Sequence, residues 1–356
     1  MLAMPASPAL EPAPSLFGLS RARLAARLAA RGEPAYRADQ LYAWVYRRHV
    51  RDPRAMTDLP LAFRRGLPAV CDLALPPATS VHASPDGHTH KFVLALADGA
   101  RVESVSMRTP TRLTFCVSSQ VGCALGCAFC ATGLMGLQRN LRAGEIVAQV
   151  LAMGDFHGWG EERFNIVFMG MGEPLANLAE VAEAIRVLHD PRGLNLGARR
   201  VTVSTSGLVP GIRELAALDL QLGLAISLHA TTDALRDELV PVNRRWPVRT
   251  LLDAAKEYGR SVGRRVTLEY TLLAGVNDSP ADADRLAAFA RELPSKVNLI
   301  PYNPVPGLRW KRPTPEAVEA FAARLLPQAP AVTVRHTLGR EIWAACGQLG
   351  GLSPGA

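Results

Sequence analysis

The stretch that decides the fold is Arg112-Leu-Thr-Phe-Cys116-Val-Ser-Ser-Gln-Val-Gly-Cys123-Ala-Leu-Gly-Cys127-Ala-Phe-Cys130. It opens with a short apolar strand and continues into a glycine-containing loop whose cysteines follow the pattern CxxxCxxC. Three thiolates on such a loop can converge on an iron–sulfur cluster, because Gly122 and Gly126 let the backbone wrap closely. Three ligands are one fewer than a four-iron cluster needs. One iron therefore stays open for the amino and carboxylate groups of a substrate.

A structural zinc site, completed by Cys116 or a histidine, is the alternative for the same three cysteines. Structural zinc usually has two separated ligand pairs, a spacing that this loop lacks. Six cysteines in a reducing compartment are also a poor basis for a disulfide framework. The pattern therefore favours a cluster, and Cys71, which has no motif around it, is interpreted as structural.

Short apolar strands alternate with helical patterns through the rest of the chain. Such alternation predicts parallel βαβ units, and repeated right-handed units curve into a full or partial barrel. Reactive residues of a barrel gather just after the carboxyl ends of its strands. The predicted strands span residues 112–117, 164–169, 201–205, 220–228, 265–272, 296–300 and 331–335.

Polar clusters follow several of these strands, at the edge where a barrel site would lie. Besides the cysteine loop they are residues 170–174, 204–207, 227–229 and 302–304. Because the carboxyl ends of parallel strands share one edge, we expect a single site to use them all.

The chain before the cysteine loop predicts smaller elements. Ser20 caps a predicted helix through Arg31, and residues 37–50 predict a second helix. Residues 91–107 alternate apolar and polar side chains around Asp98-Gly99, which indicates a β-hairpin. The basic residues of this region are a candidate RNA-binding patch or simply a solvated helical face. They include Arg47, Arg48, Arg51, Arg54, Arg64 and Arg65.

We therefore predict an α/β fold in four parts. They are a disordered leader (1–18), a helical RNA-binding accessory domain (19–75), a β-hairpin linker (76–110) and a partial parallel barrel (111–350). No apolar run is long enough to span a bilayer and no signal pattern opens the chain, so a cytoplasmic location is expected.

Composition agrees with an enzyme that meets an anionic partner. The 356 residues carry a formal net charge of +8, and 48% of them are hydrophobic, enough for a sizeable core. The basic residues are nearly all arginine, a skew that a GC-rich genome would equally produce, so charge alone leaves nucleic acid open.

The full motif resembles a known family. CxxxCxxC is the signature of radical S-adenosylmethionine enzymes, and residues 116–133 resemble the RNA adenine methyltransferases called RlmN, with their carbon-8 relative Cfr. The likeness runs from about Ser20 to Leu349 without a departure at a functional position. It passes through residues 140–145, 169–174, 201–207, 227–230, 301–304 and 344–348.

The resemblance implies a radical-type partial barrel holding two cofactors. Cys123, Cys127 and Cys130 would bind a [4Fe–4S] cluster, and S-adenosylmethionine would bind beside it. The residues that match the family's contacts to that cofactor are Gly172, Glu173, Ser204, Ser227, Leu228, His229 and Asn303.

Three further roles are implied by the resemblance. Cys346 would carry the methyl group as a methylcysteine, and an adenosyl radical would then take a hydrogen from that methyl group. Cys116 would close a disulfide with Cys346 and release the methylated base. Glu103 would accept the proton that leaves the base carbon.

The implied substrates are an adenosine of 23S rRNA and an adenosine in tRNA anticodon loops, each methylated at carbon 2. An external reductant, flavodoxin in related enzymes, would feed the cluster of a monomeric protein without membrane partners. Methylation at carbon 8 stays open, because it uses the same cysteines. A zinc-stabilised RNA-binding or redox protein is the alternative from a different class.

Overall fold

One ten-stranded sheet organises this computed structural model, which describes residues 13–160, 163–335 and 337–350. Residues 1–12 of the predicted leader lie outside the described residues. The strands of the sheet are β1 (Ala78–Ala83), β2 (Thr89–Ala95), β3 (Arg101–Thr109), β4 (Arg112–Cys116), β7 (Phe164–Phe168), β8 (Val201–Thr205), β9 (Gly223–Ser227), β10 (Val266–Leu272), β11 (Ser295–Pro301) and β12 (Val332–Val334). They lie side by side in the order β1-β2-β3-β4-β7-β8-β9-β10-β11-β12.

The seven strands from β4 onward pair in parallel, each with its neighbour in the sheet order. Helices separate them along the chain, which confirms the predicted α/β architecture. None of the helices in the described ranges is long and apolar enough to cross a bilayer. The main helices that connect the parallel strands are α5 (Ala143–Phe156), α6 (Leu178–His189), α7 (Val209–Ala217), α8 (Asp233–Leu239), α9 (Val248–Val262), α10 (Pro280–Glu292) and α11 (Pro315–Leu325).

The predicted hairpin is present as β2 and β3, which turn through Gly99 at φ +83°. It is not a separate linker, because β1 extends it on one side and β3 pairs antiparallel with β4 on the other. The register sets Val105 opposite Cys116. The hairpin is therefore part of the same sheet as the parallel strands.

The helical region consists of α1 (Arg21–Ala29), α2 (Tyr36–Tyr42) and α3 (Leu61–Val70). The second helix passes into a π-helical turn, Ala43–Arg47, and ends before the predicted Val50. Leu16 and Phe17, which the sequence places in the leader, are fully buried. The packed chain therefore begins earlier than the sequence indicates, because these two apolar side chains join the core.

Several arginines of the proposed basic patch have partners within the protein. Arg51 forms an ion pair with Asp155 of α5, and Arg48 stacks over Trp44 with its guanidinium carbon 4.0 Å from the ring centroid. Arg47 and Arg65 are exposed, and neither forms an ion pair within the described residues. These two are the better candidates for phosphate contacts.

Exchanging Arg47 and Arg65 together for glutamine should weaken RNA binding and flatten its salt dependence. The slope of log K against log salt should fall by roughly one for each phosphate contact that the exchange removes. Filter binding of tRNA over a salt series measures that slope. A matched double exchange of Arg213 and Arg260, on α7 and α9, removes the same charge elsewhere and should leave the slope unchanged. If the Arg47 and Arg65 exchange leaves the salt slope at the parent value, as the control exchange should, these two arginines of the helical region do not bind phosphates.

Candidate active site

The cysteine loop lies between β4 and a short α4 helix, Ala131–Leu134. Two further strands, β5 (Gln120–Gly122) and β6 (Leu137–Asn140), pair antiparallel beside it. Gly122 has φ +78°, and a Cβ there would lie 1.9 Å from the carbonyl oxygen of Gly136. Only glycine fits this close crossing, which aims the loop into the barrel.

Both backbone groups of Ala128, between two of the cysteines, are held from outside the loop. Its N–H donates to the carbonyl of Leu239 at 3.0 Å, and its carbonyl accepts from the indole Nε1 of Trp310 at 2.8 Å. The loop is therefore ordered by the barrel's own elements.

Burial raises the pKa of the Cys123 thiol to about 11 and that of the Cys127 thiol to about 12, and it also raises the pKa of Cys130. Buried thiols of this kind release their protons when a metal binds them. Across the described residues no three His, Cys, Asp or Glu side chains are placed to hold one metal ion. In a cluster each thiolate binds a different iron, so the three cysteine sulfurs lie farther apart there than around a single zinc ion.

The predicted strand-end residues meet in one cavity above the carboxyl edge of the sheet. Leu228 is the exception: its side chain is fully buried outside the cavity lining, and its backbone N–H donates to the carbonyl of Glu269. The cavity is lined by Cys123, Cys127, Cys130, Gly172, Glu173, Ser204, Ser227, His229, Asn303 and Cys346, among others.

The Gly172-Glu173 pair is fixed by the strand edge beside it. The backbone N–H of Glu173 donates to Gln120 Oε1 at 2.8 Å, and its carboxylate accepts from the N–H groups of Ser206 at 2.8 Å and Leu175 at 3.1 Å. Burial raises the pKa of Glu173 to about 7. A carboxylate held in this way can bind the ammonium group of an amino acid. The positive charge of that group would lower the pKa of the Glu173 carboxyl again.

Gly172→Ala should disrupt this arrangement. Gly172 has φ +97°, and a Cβ there would lie 2.5 Å from the Cβ of Gln120, so the strand edge that holds Glu173 must move. We expect affinity for S-adenosylmethionine to fall about tenfold or more, measured by calorimetry on cluster-loaded protein. Gly99→Ala is the control, because Gly99 has a similar φ of +83° but a Cβ added there would have no neighbouring atom within 4 Å. It should cost about 1 kcal/mol of stability and leave affinity unchanged. Equal affinities in the two variants would contradict the role of this pair.

Four uncharged polar side chains also line the cavity. Ser204 and Ser227 place their hydroxyl oxygens 3.4 Å apart. His229 accepts the backbone N–H of Thr271 on Nδ1 at 3.0 Å, and burial lowers its pKa to about 3, so the ring is neutral. Asn303 donates from Nδ2 to the carbonyl of Cys346 at 3.2 Å.

Cys116 and Cys346 share a second, smaller cavity that adjoins the first. Cys116 is 6% exposed, and burial raises the pKa of its thiol to about 12. All six cysteines of the sequence lie in the described ranges and are free thiols, so the disulfide that the resemblance implies is not part of this folded state.

Glu103 lies apart from both cavities. Its carboxylate forms an ion pair with Lys91 at 3.7 Å and accepts the backbone N–H of Gly350 at 3.2 Å. It lines an open depression between the hairpin and the segment around Met135. The chain that follows Cys346 thus covers this carboxylate, an arrangement that no sequence pattern indicates.

Two functional candidates escape sequence reasoning, Arg335 and Glu269. Arg335 follows the last short strand and lines both cavities, and Glu269 is a buried carboxyl in the middle of β10. Neither belongs to a motif. The only signal in the sequence is a charged residue inside a predicted strand, for Glu269, or at the end of one, for Arg335.

The comparisons with known proteins agree with this geometry. Residues 117–287 match the Radical SAM superfamily, and residues 15–73 match the ribosomal RNA large subunit methyltransferase N-terminal domain. A crystal structure of a radical SAM methyltransferase from Sphaerobacter thermophilus is similar with a TM-score of 0.90 and 48% identity, covering 94% of this chain and 98% of that one.

Curated relatives are similar over nearly their whole length. A probable dual-specificity RNA methyltransferase RlmN from Symbiobacterium thermophilum is 48% identical over 94% of this chain and 90% of its own. The dual-specificity RNA methyltransferase RlmN from Anaeromyxobacter dehalogenans is 47% identical over 94% and 91%. Fold, cysteine loop and cavity thus define a radical S-adenosylmethionine enzyme, a methyltransferase that acts on RNA. Within that class, the chain belongs to the RlmN family.

A radical S-adenosylmethionine enzyme uses a [4Fe–4S] cluster and S-adenosylmethionine. The residues present fit both groups. Three half-buried thiols face the cavity on a loop held by the barrel, and a buried carboxyl, two serine hydroxyls and a neutral imidazole also line it. Cys123, Cys127 and Cys130 would bind the cluster, and Glu173 would receive the amino group of the cofactor's methionyl part.

Proposed function

We propose that this enzyme methylates carbon 2 of an adenosine in 23S rRNA and of an adenosine in tRNA anticodon loops, through a methylcysteine at Cys346. The observation that carries the proposal is the position of Cys346, which lines the cavity of the cluster cysteines and also shares a cavity with Cys116. The relatives' description as dual-specificity RNA methyltransferases supports RNA substrates of two kinds.

The chemistry of the base explains why a carrier sulfur is needed. Carbon 2 of adenine lies between two ring nitrogens and is electron-poor, so it cannot attack a methyl sulfonium as a nucleophile. When bound, the cluster and S-adenosylmethionine supply a methyl group for a thiolate and an adenosyl radical. Cys346 accepts the methyl group on its sulfur and later presents that carbon to the base.

Cys116 then acts as the resolving thiol. Its thiolate attacks the sulfur of Cys346, an S–S bond forms, and the carrier's carbon–sulfur bond breaks with its electron pair going to the methylene carbon. That carbon takes up a proton and becomes the methyl group. The resulting disulfide is transient and must be reduced before the next turnover.

Addition of the carrier's carbon radical leaves an unpaired electron on the base. This single electron would pass to the bound cluster, and Glu103 is the proposed acceptor of the proton that then leaves the base carbon. For this the segment around Gly350 must move away from the carboxylate, since the backbone N–H of Gly350 donates to Oε2. Entry of the RNA would supply the displacing contacts. We further propose that an external one-electron donor such as flavodoxin reduces the cluster.

Nucleoside mass spectrometry of ribosomal and transfer RNA from cells with and without the gene tests the proposal. We expect 2-methyladenosine to disappear from both RNAs when the gene is removed. An 8-methyladenosine signal would instead establish the carbon-8 reaction, and loss from one RNA alone would refute dual specificity. Iron and acid-labile sulfide in anaerobically purified protein test the zinc alternative, which requires zinc without sulfide.

A further inference from the structure

Arg335 occupies the wall between the two cavities, directly after β12. Its backbone N–H donates to the carbonyl of Leu299 on β11 at 2.8 Å, which fixes the root of the side chain. Its Nη1 donates to Cys346 Sγ at 3.4 Å, and Nη2 lies 4.0 Å from Met107 Sδ. The guanidinium thus points at a sulfur that the proposed reaction uses as a nucleophile.

Three nearby groups, Cys346, Glu269 and Cys116, act electrostatically on the cationic guanidinium of Arg335. Interaction with the Cys346 sulfur raises the pKa of Arg335, with further contributions from Glu269 and Cys116 and opposition from burial. Glu269, which is 5% exposed on β10, accepts a hydrogen bond from Nδ2 of Asn298 at 2.7 Å. The guanidinium therefore contacts the Cys346 sulfur and lies within electrostatic range of Glu269 and Cys116.

We propose that Arg335 is the positioning residue that holds first Cys346 and then Cys116 in the thiolate form. The proposal rests on the proposed function, because only a methyl carrier followed by a resolving thiol needs two thiolates in sequence. An arginine suits this task, since it is charged at every working pH and cannot remove the proton itself. It stabilises the sulfur anion and leaves the proton to solvent or a neighbouring base.

One cation can serve both sulfurs because their charges appear at different times. Before methyl transfer the Cys346 thiolate accepts a hydrogen bond from Nη1 of Arg335. After transfer that sulfur is a neutral thioether, so the guanidinium's attraction is available to Cys116 across the shared cavity. Burial by itself opposes the anionic form of Cys116, and Arg335 acts in the opposite direction. The same arginine thus favours the thiolate that each step requires.

The experiment measures alkylation of Cys346 by iodoacetamide in cluster-reconstituted, anaerobic protein that has not met S-adenosylmethionine. Peptide mass spectrometry follows Cys346 alone at pH 7 and at pH 10. We compare the parent with Arg335→Met, Arg335→Lys and Arg200→Met. Arg200 is a half-buried arginine that precedes β8, at the opposite end of the sheet from the site, and donates to Asn165.

At pH 7 we expect Arg335→Met to slow alkylation about tenfold or more, because less of the sulfur is thiolate. At pH 10 its rate should approach that of the parent, whereas a structural disturbance would change the rate at both pH values. Arg335→Lys should restore most of the pH 7 rate, and Arg200→Met should match the parent. Parent-like alkylation of Arg335→Met at pH 7 would overturn the proposal. That outcome leaves the proposed function standing, whereas RNA methylation by Cys346→Ala would refute the function itself.

Discussion

Replacing any one of Cys123, Cys127 or Cys130 by alanine should remove the cluster and abolish RNA methylation. The three thiols face one cavity, and two thiolates cannot hold a four-iron cluster stably. The barrel should remain folded, because its parallel sheet and core do not depend on these side chains. Iron and sulfide content, the brown absorbance near 400 nm and formation of 5′-deoxyadenosine measure the loss.

Cys71→Ala is the matched control for these variants. Cys71 is a buried free thiol, at 1% exposure, but it lies directly after α3 in the helical region and lines neither cavity of the site. It should keep a full cluster and near-parent activity, with a loss of about 1 kcal/mol of stability for the deleted sulfur. A brown, active Cys127→Ala protein would contradict the assignment of the cluster ligands.

Cys346→Ala and Cys116→Ala should fail at different steps. Cys346→Ala has no sulfur to accept the methyl group, so it should form no methylcysteine and no adduct with RNA, although its cluster is intact. Cys116→Ala should still load Cys346 and add its methylene to the base. Without a nearby thiolate to attack the carrier sulfur, the protein should stay joined to RNA through a methylene bridge.

A denaturing gel of each variant purified from cells, with and without ribonuclease, distinguishes these outcomes. The RNA-linked band should appear for Cys116→Ala, shift on ribonuclease treatment, and be absent from Cys346→Ala and from the double variant. Glu103→Gln should also accumulate the band, since the proton must leave the base before the sulfur bond breaks. If Cys116→Ala shows methylated Cys346 but no RNA-linked band, Cys116 is not the resolving thiol.

Local signals in the sequence are enough to predict the parallel sheet. Apolar strand patterns, the Asp98-Gly99 turn and the spacing of the cysteines each depend on residues close together in the chain, and the observed β4 and β7–β12 follow the predicted strands. The same locality explains why most of the predicted cofactor residues line one cavity: they follow strands whose carboxyl ends must share one edge. Leu228, which the resemblance places among the cofactor contacts, has its side chain outside the cavity lining, because a strand-end motif does not say which side chain faces the cavity.

Contacts between distant parts of the chain decide the rest. The sequence makes Arg51 part of a candidate RNA-binding patch or of a solvated helical face, and the structure pairs it with Asp155 more than a hundred residues away. The resemblance places Glu103 in the reaction of the two thiols, but in this folded state it meets Lys91 and the backbone of Gly350.

The amino-acid sequence by itself determined the α/β class, the cysteine loop and the family, because these depend on periodicity and short spacings. Only the tertiary structure decided that Arg335 reaches Cys346, and that the cavity enclosed by the strand-end residues adjoins a second cavity shared by Cys346 and Cys116. Such facts depend on how strands far apart in the chain curve past one another, and no local pattern records the distance between their side chains.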